Sequence, residues 1–332
     1  MTPLLFLLHS MRRMGLVGLC LLNPWIPFAL ADSPYPNRSL RLIAGMPAGG
    51  GADLNARRLA EQLHQVLKQN VIVENMGGAA GNAAAVAVMG ANSDGYTLFF
   101  SSHPVFAVNP VLYEGRLPFK PEAFAPVALV SQAAHVLLAS LALPAQNVNE
   151  LISLARANPK RINFGSGGAG TSIHLAAELL NQITHIHLVH IPYRGSAPAA
   201  IALASNEIQL LFDNSMTAIG HVRAGRVKAL AIGAKIRLPA INDVPTFIES
   251  GLPGFEVSIS HGVWMLKTVS PVILKTINQA INLSVQDKDY KNSMNEFGVS
   301  LMGGSAEQLA SFIIQESKKY GELIRNQKIT AD

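Results

Sequence analysis

Short apolar runs alternate with helix-like stretches along most of the chain. Residues 40–44 form an apolar run, and Leu59, Leu63, Val66 and Leu67 then recur at the spacing of one helix face. Asp53 stands where it could cap that helix. Val71, Ile72 and Val73 are β-branched and predict a strand. A Gly-rich loop, an Ala-rich helix, a turn at Asp94-Gly95 and a strand over residues 96–100 follow. This β-α-β-α-β order predicts a parallel sheet covered by helices.

The pattern restarts after about residue 132. A helix over 150–157 precedes a strand over 161–164, a Gly-rich loop over 165–170 and a helix over 172–182. Strands over 186–191, 208–212 and 229–232 come next, separated by a loop over 192–196 and a helix. The tail holds a strand near 263–266 and helices near 271–285 and 306–325. Two α/β blocks and a returning tail predict two doubly wound lobes joined by a hinge. Lobe 1 would hold residues 32–131 and 260–332, and lobe 2 residues 132–259. The hinge crossings are expected near 130–132 and 257–262.

Residues 1–31 interrupt this picture and read as a secretory signal. Arg12 and Arg13 precede an apolar stretch over 14–22, and Ala29-Leu30-Ala31 forms a small-x-small cleavage site. Pro24 and Pro27 break the apolar run, which argues against a membrane span of about 20 residues. Met11 and Met14 stand as alternative starts. Cys20 follows Leu19, which is not the small residue that a lipoprotein signal requires. Cleavage after Ala31 removes the one Cys, as suits an oxidising compartment such as a bacterial periplasm.

Composition narrows the function classes. The chain has 332 residues, 49% hydrophobic and 14% charged, which excludes a disordered chain and a coiled coil. One Cys excludes a disulfide framework and a thiolate metal site. The net charge of +5 is spread thinly, in pairs such as Arg57-Arg58 and Lys318-Lys319, with no basic stripe for nucleic acid. No P-loop, G-x-S-x-G elbow or H-E-x-x-H is present. Gly165, Gly167 and Gly170 fit G-x-G-x-x-G, but no acid lies between Glu178 and Glu207 to hold a ribose. No cofactor and no metal are therefore expected. His185 and His187 would share one strand face with His190 on the other, a structural rather than a ligating set.

Four loops stand where a strand ends and a helix begins: 46–53, 76–82, 166–172 and 193–197. Ligands bind at this edge of open α/β sheets. Glycines let backbone N–H groups approach a ligand, and helix N-termini add partial positive charge. Such ends facing one cleft would hold an anion such as a carboxylate. The alternative is that the glycines only serve tight turns.

The ordered set of loops resembles the Bug-type periplasmic solute receptors of the tripartite tricarboxylate transporter family. It runs from about Tyr35 to the C-terminus. Its pieces include Tyr35-Pro36 with Arg38, Pro47-Ala48-Gly49-Gly50-Gly51 with Asp53 and Ala56-Arg57, and Val73-Glu74-Asn75. Asp94-Gly95-Tyr96-Thr97-Leu98, Asn109-Pro110, Ser166-Gly167, Gly170-Thr171-Ser172 and His174-Leu175 follow. Pro192-Tyr193-Arg194-Gly195, Phe212-Asp213-Asn214, Asp243-Val244-Pro245-Thr246 and Gly251-Leu252-Pro253-Gly254 complete it.

The resemblance implies a flytrap of two α/β lobes, the type II binding-protein architecture, closing on an organic acid. It implies first-lobe contacts from Met46, Pro47, Ala48, Gly49, Gly50 and Gly51, with Asp53, Ala80, Gly81, Asn82, Ser101 and Ser102. It implies second-lobe contacts from Ser166, Gly170, Thr171, Ser172, His174, Tyr193 and Asp213. It also implies a monomer partnered by the membrane subunits of a tripartite transporter. Three departures bear on the ligand: Met46 replaces an aromatic residue, Ala52 a Thr, and Gly77-Gly78 a Pro-Gly.

Two other readings stay open. A sensing module would present its liganded form to a membrane sensor kinase. A secreted α/β enzyme acting on an organic acid would need an acid and a base in the cleft, for which Asp53, His174 and Asp213 are the candidates. Asp213 and Asn214 could equally cap the next helix.

Overall fold

The computed structural model describes residues 35–331. The expected leader, its cleavage site and Cys20 lie outside them. Among the described residues, ten strands are joined through shared hydrogen-bonded pairs. They are β1 (Leu40–Ala44), β2 (Val71–Asn75), β3 (Thr97–Ser102), β4 (Phe124–Ala139) and β5 (Asn163–Ser166). The rest are β6 (Val189–Pro192), β7 (Leu210–Asn214), β8 (Lys228–Ile232), β9 (Ser258–Leu266) and β10 (Val299–Gly303). Eleven α-helices of the described residues accompany them: α1 (Gly51–Leu67), α2 (Asn82–Met89), α3 (Pro104–Ala107), α4 (Asn109–Leu112), α5 (Val148–Ala157) and α6 (Ser172–Thr184). The others are α7 (Ser196–Ala204), α8 (Ser215–Arg223), α9 (Pro271–Gln286), α10 (Lys288–Glu296) and α11 (Ala306–Gln327).

Strand order is β2-β1-β3-β9-β4-β7-β5-β6, with β10 and β8 also paired to β4. The pairs β1/β2, β1/β3, β5/β6 and β5/β7 are parallel, as the alternating pattern requires. Strand β4 is shared between two sheets. Its early part pairs antiparallel with β9 and β10, and residues from His135 or Val136 onward pair antiparallel with β7 and β8. At the changeover the His135 amide donates to the Val257 carbonyl, Val257 to Gly233, and Gly233 back to His135. This closed backbone ring fixes the point where the chain passes between the sheets.

Each sheet has its own core. One gathers Leu40, Leu42, Leu59, Leu63 and a ring cluster of Phe99, Phe106, Phe124 and Trp264. The other gathers Leu151, Phe164, Leu180, Leu211 and the stacked pair Phe212 and Phe247. Leu59 and Leu63 are fully buried, as their spacing predicts.

Several local readings need correction. Strand β4 is absent from the reading by pattern, because Pro126 and two register shifts interrupt its alternation. Helix α10 and strand β10 are likewise unforeseen. Asp53 does not cap α1: the cap is Gly50, and Asp53 lies in the first turn with its carboxylate accepting from the Gly49 amide at 3.0 Å. His185 and His187 share no strand face, since β6 begins at Val189 and His185 ends α6 in the left-handed conformation.

Candidate functional site

Four connections meet at one cleft: β1 to α1, β2 to α2, β5 to α6 and β6 to α7. They line a cavity of about 770 Å³. The two cores approach closely here. A Cβ on Gly50 would sit 2.9 Å from Ser196 Oγ, and one on Gly51 would sit 2.9 Å from Asn214 Cγ. A Cβ on Gly195 would lie 3.1 Å from Pro47 Cγ. Glycine at these places permits backbone contact across the cleft.

The helix starts explain what the cavity can hold. Gly50, Gly81 and Gly195 are the caps of α1, α2 and α7, and none has a side chain to satisfy the first helical amides. Thr171 caps α6 and accepts from the His174 amide. Ser172, the first residue of α6, is 2% exposed and lines the cavity, and its hydroxyl has no hydrogen-bond partner within the protein. The lining contains no Asp, Glu or Lys; its one charged side chain is Arg194. Uncapped helix N-termini and a lone guanidinium favour an anion.

The predicted contacts divide. Met46, Pro47, Ala48, Gly50, Ala80, Gly81, Ser102, Thr171, Ser172 and Tyr193 line the cavity. The Tyr193 hydroxyl, however, donates to the Glu207 carboxylate at 2.8 Å. Gly49, Gly51, Asp53, Asn82, Ser101, Ser166, Gly170, His174 and Asp213 are not in the lining.

Several of these brace the loops from behind. Asp53 accepts from the Gly49 amide, from Asn75 Nδ2 at 2.9 Å and from Arg57 Nε at 3.0 Å. Burial alone would raise its pKa, but these donors hold the carboxyl below the usual range. Asn75 also donates to the Met46 carbonyl at 3.3 Å, so one network shapes the first loop. Asn109 Nδ2 donates to the Asn82 side chain at 2.6 Å and to the Ala80 carbonyl at 3.1 Å, fixing the second.

The third loop rests on two histidines. Ser166 Oγ lies 2.5 Å from His190 Nε2 and accepts from the Gly168 amide. The Gly170 amide donates to His174 Nδ1 at 3.1 Å. Burial, with His174 beside it, lowers the His190 pKa to about 3, so its ring is neutral.

Asp213 is buried at the end of β7 and accepts from the Thr217 hydroxyl at 2.7 Å and the Asn214 amide at 2.9 Å. Burial pushes its pKa up to about 7. Asn214 is the helix cap: its side chain accepts from the Met216 amide. Asp53, His174 and Asp213, the candidate acid–base set, therefore all lie outside the cavity wall.

The predicted contacts left out Gly45, Pro104, Ile173, Arg194, Ser196 and Ile259, all of which line the cavity. Arg194 and Ser196 belong to a loop that the sequence singles out. Ile259 arrives from β9, far along the chain, and carries no local signal.

The sequence model described as Tripartite tricarboxylate transporter family receptor matches residues 55–329. Protein BugT of Bordetella pertussis is 29% identical over 319 residues, which are 96% of this chain and 98% of that protein. A Rhodopseudomonas palustris protein solved with adipate superposes with a TM-score of 0.85 at 27% identity, over 89% of this chain and 99% of that one. MatC from the same organism, with bound malate, gives 0.81 at 27% identity, over 87% and 100%. The family and the two-lobe type II fold are those of periplasmic solute receptors, not enzymes. The chain belongs to the tripartite tricarboxylate transporter receptor family.

Proposed function

We propose that this receptor binds a small organic acid in the cleft and delivers it for uptake by a tripartite tricarboxylate-type transporter. One observation carries the reading: uncapped helix N-termini from both sides converge on a cavity with no acidic side chain. Backbone amides and hydroxyls hold the carboxylate. The adipate and malate of the two structural neighbours support this class of ligand.

Closure follows from shared contact. A solute touching both sides binds the closed form better than the open one and shifts the population toward it. The lobes are residues 32–131 with 260–332, and 132–259, and the leader over 1–31 directs export before cleavage after Ala31. The membrane partner is the transporter's integral subunits, and the receptor acts as a monomer.

The test is a thermal-shift panel on ligand-stripped protein. It holds citrate, malate, adipate, acidic amino acids, aromatic acids and nicotinate, with NAD and neutral sugars as controls. A ligand that binds only the folded form adds about 2.7 kcal/mol at a hundredfold excess over Kd. A rise in Tm with one acid class supports the reading. A rise with NAD alone overturns it.

A further inference from the structure

We propose that the solute is an amphipathic monocarboxylate: an acid with one carboxylate and a bulky apolar body. This rests on the receptor reading above and narrows it. The cavity, about 770 Å³, is of the size that houses drug-sized ligands. Its polar equipment is small. Arg194 is the one charged side chain, exposed beside Gly195 where that loop meets Pro47, and no acid pairs with it among the described residues.

Ser172 offers a buried, unpartnered hydroxyl at the start of α6. Two further hydroxyls are committed, since Thr171 donates to the Gly168 carbonyl and Tyr193 to Glu207, while Ser102 and Ser196 also stand in the wall. Met46, Pro104, Ile173 and Ile259 supply apolar wall.

Charge and area decide between ligand classes. A di- or tricarboxylate brings two or three full charges into a closing cleft that carries one cation. Each unmatched buried charge is costly. A single carboxylate is matched by the Ser172 hydroxyl, the helix-start amides and Arg194. The apolar wall then needs an apolar body, because a short polyacid would leave it against water.

The experiment uses the full chain, expressed with its leader, purified from the periplasm, and denatured and refolded to remove carried-over solute. Calorimetry compares butanoate, hexanoate, octanoate and phenylpropanoate with the diacids succinate, adipate and suberate, matched by length. Kd should fall by up to about fourfold per methylene along the monoacids. Each longer monoacid should bind at least about tenfold tighter than its equal-length diacid, a gap set by desolvating the second charge.

Ile259→Thr and Met46→Thr should flatten the gain per methylene, whereas Ser172→Ala should weaken every acid alike; Tm reports whether each variant is folded. A diacid that binds tighter than its monoacid overturns the proposal and leaves the receptor reading standing. So does a Kd that stays constant from butanoate to octanoate. If each acid binds no better than its uncharged amide, the receptor reading fails, and the proposal with it.

Discussion

His174 and His190 lie face to face, with ring centroids 3.8 Å apart and planes 11° from parallel. They form the floor under the loop that carries Gly168, Thr171 and Ser172. Because the Gly170 amide donates to His174 Nδ1, that nitrogen is an acceptor and the ring proton sits on Nε2, 3.6 Å from Glu178. His190 holds Ser166 at the other end of the loop. Neither ring lines the cavity, yet both set its shape.

His174→Ala should therefore weaken solute binding without removing a ligand contact. One lost buried hydrogen bond and one lost stack predict about 1–3 kcal/mol of stability and about a tenfold rise in Kd. Calorimetry and a melting curve measure the two together. An unchanged Kd would show that the loop holds its shape without the ring.

Asp53→Ala acts on the opposite loop. It deprives the Gly49 amide, Asn75 and Arg57 of one shared acceptor. Hydrogen bonds to a charged group are worth about 1.5–3 kcal/mol each, less for the exposed Arg57 arm. The variant should melt lower and bind more weakly. A variant that loses stability but keeps its Kd would mean that the first loop does not need this brace.

Acid should destabilise the protein through buried histidines. Burial lowers the pKa of His103 and His261 to about 3 and of His135 to about 4, and the neighbouring histidines add to the effect for His103 and His261. His190 behaves in the same way. The folded pKa values lie below the unfolded value of about 6.5, so the unfolded chain takes up more protons as pH falls. Stability is whole above pH 6.5 and is lost progressively toward pH 3–4.

Asp213 works the other way: raised to about 7, its stabilising effect is present at low pH and lost as pH rises from its ordinary value through about 7. Four histidines oppose one aspartate, so the urea midpoint should drop between pH 7 and pH 5. Asp213→Asn should steepen that drop and gain stability over the native chain at pH 8. A flat midpoint across this range would contradict the burial of these groups.

Gly51→Val tests the approach of the two halves. Its Cβ would meet Asn214 Cγ at 2.9 Å, and Asn214 is held by its cap bond to the Met216 amide. The valine should keep the cleft from closing. Solution scattering should show a larger radius of gyration in the presence of solute, and affinity should fall about tenfold or more, as overpacking costs about 1–3 kcal/mol. A variant that closes like the native chain would contradict the contact.

The parallel strands and the four helix entries were legible because their periods and glycine loops are local signals. Leu59 and Leu63 announce a helix face, and Gly50-Gly51 announces an N-terminus. Strand β4 was not legible. Its partners β9 and β10 lie more than a hundred residues away, and Pro126 hides its alternation. The site was legible at the level of loops but not of side chains. Asp53 and His174 stand in the first turns of α1 and α6, beside the right loops, but lie outside the cavity wall, each accepting from a backbone amide of its loop. Ile259 enters from β9 by long-range pairing, which no spacing in the chain reveals.

The most direct measurement is the binding of octanoate against octanamide to the ligand-stripped chain by calorimetry at pH 7.5. The two differ only in the group aimed at the helix starts. Charge-assisted bonds are about twice as strong as neutral ones, so the acid should bind at least about tenfold tighter, with the gap narrowing as salt is raised. Equal affinity for the acid and the amide would contradict a receptor built to hold a carboxylate.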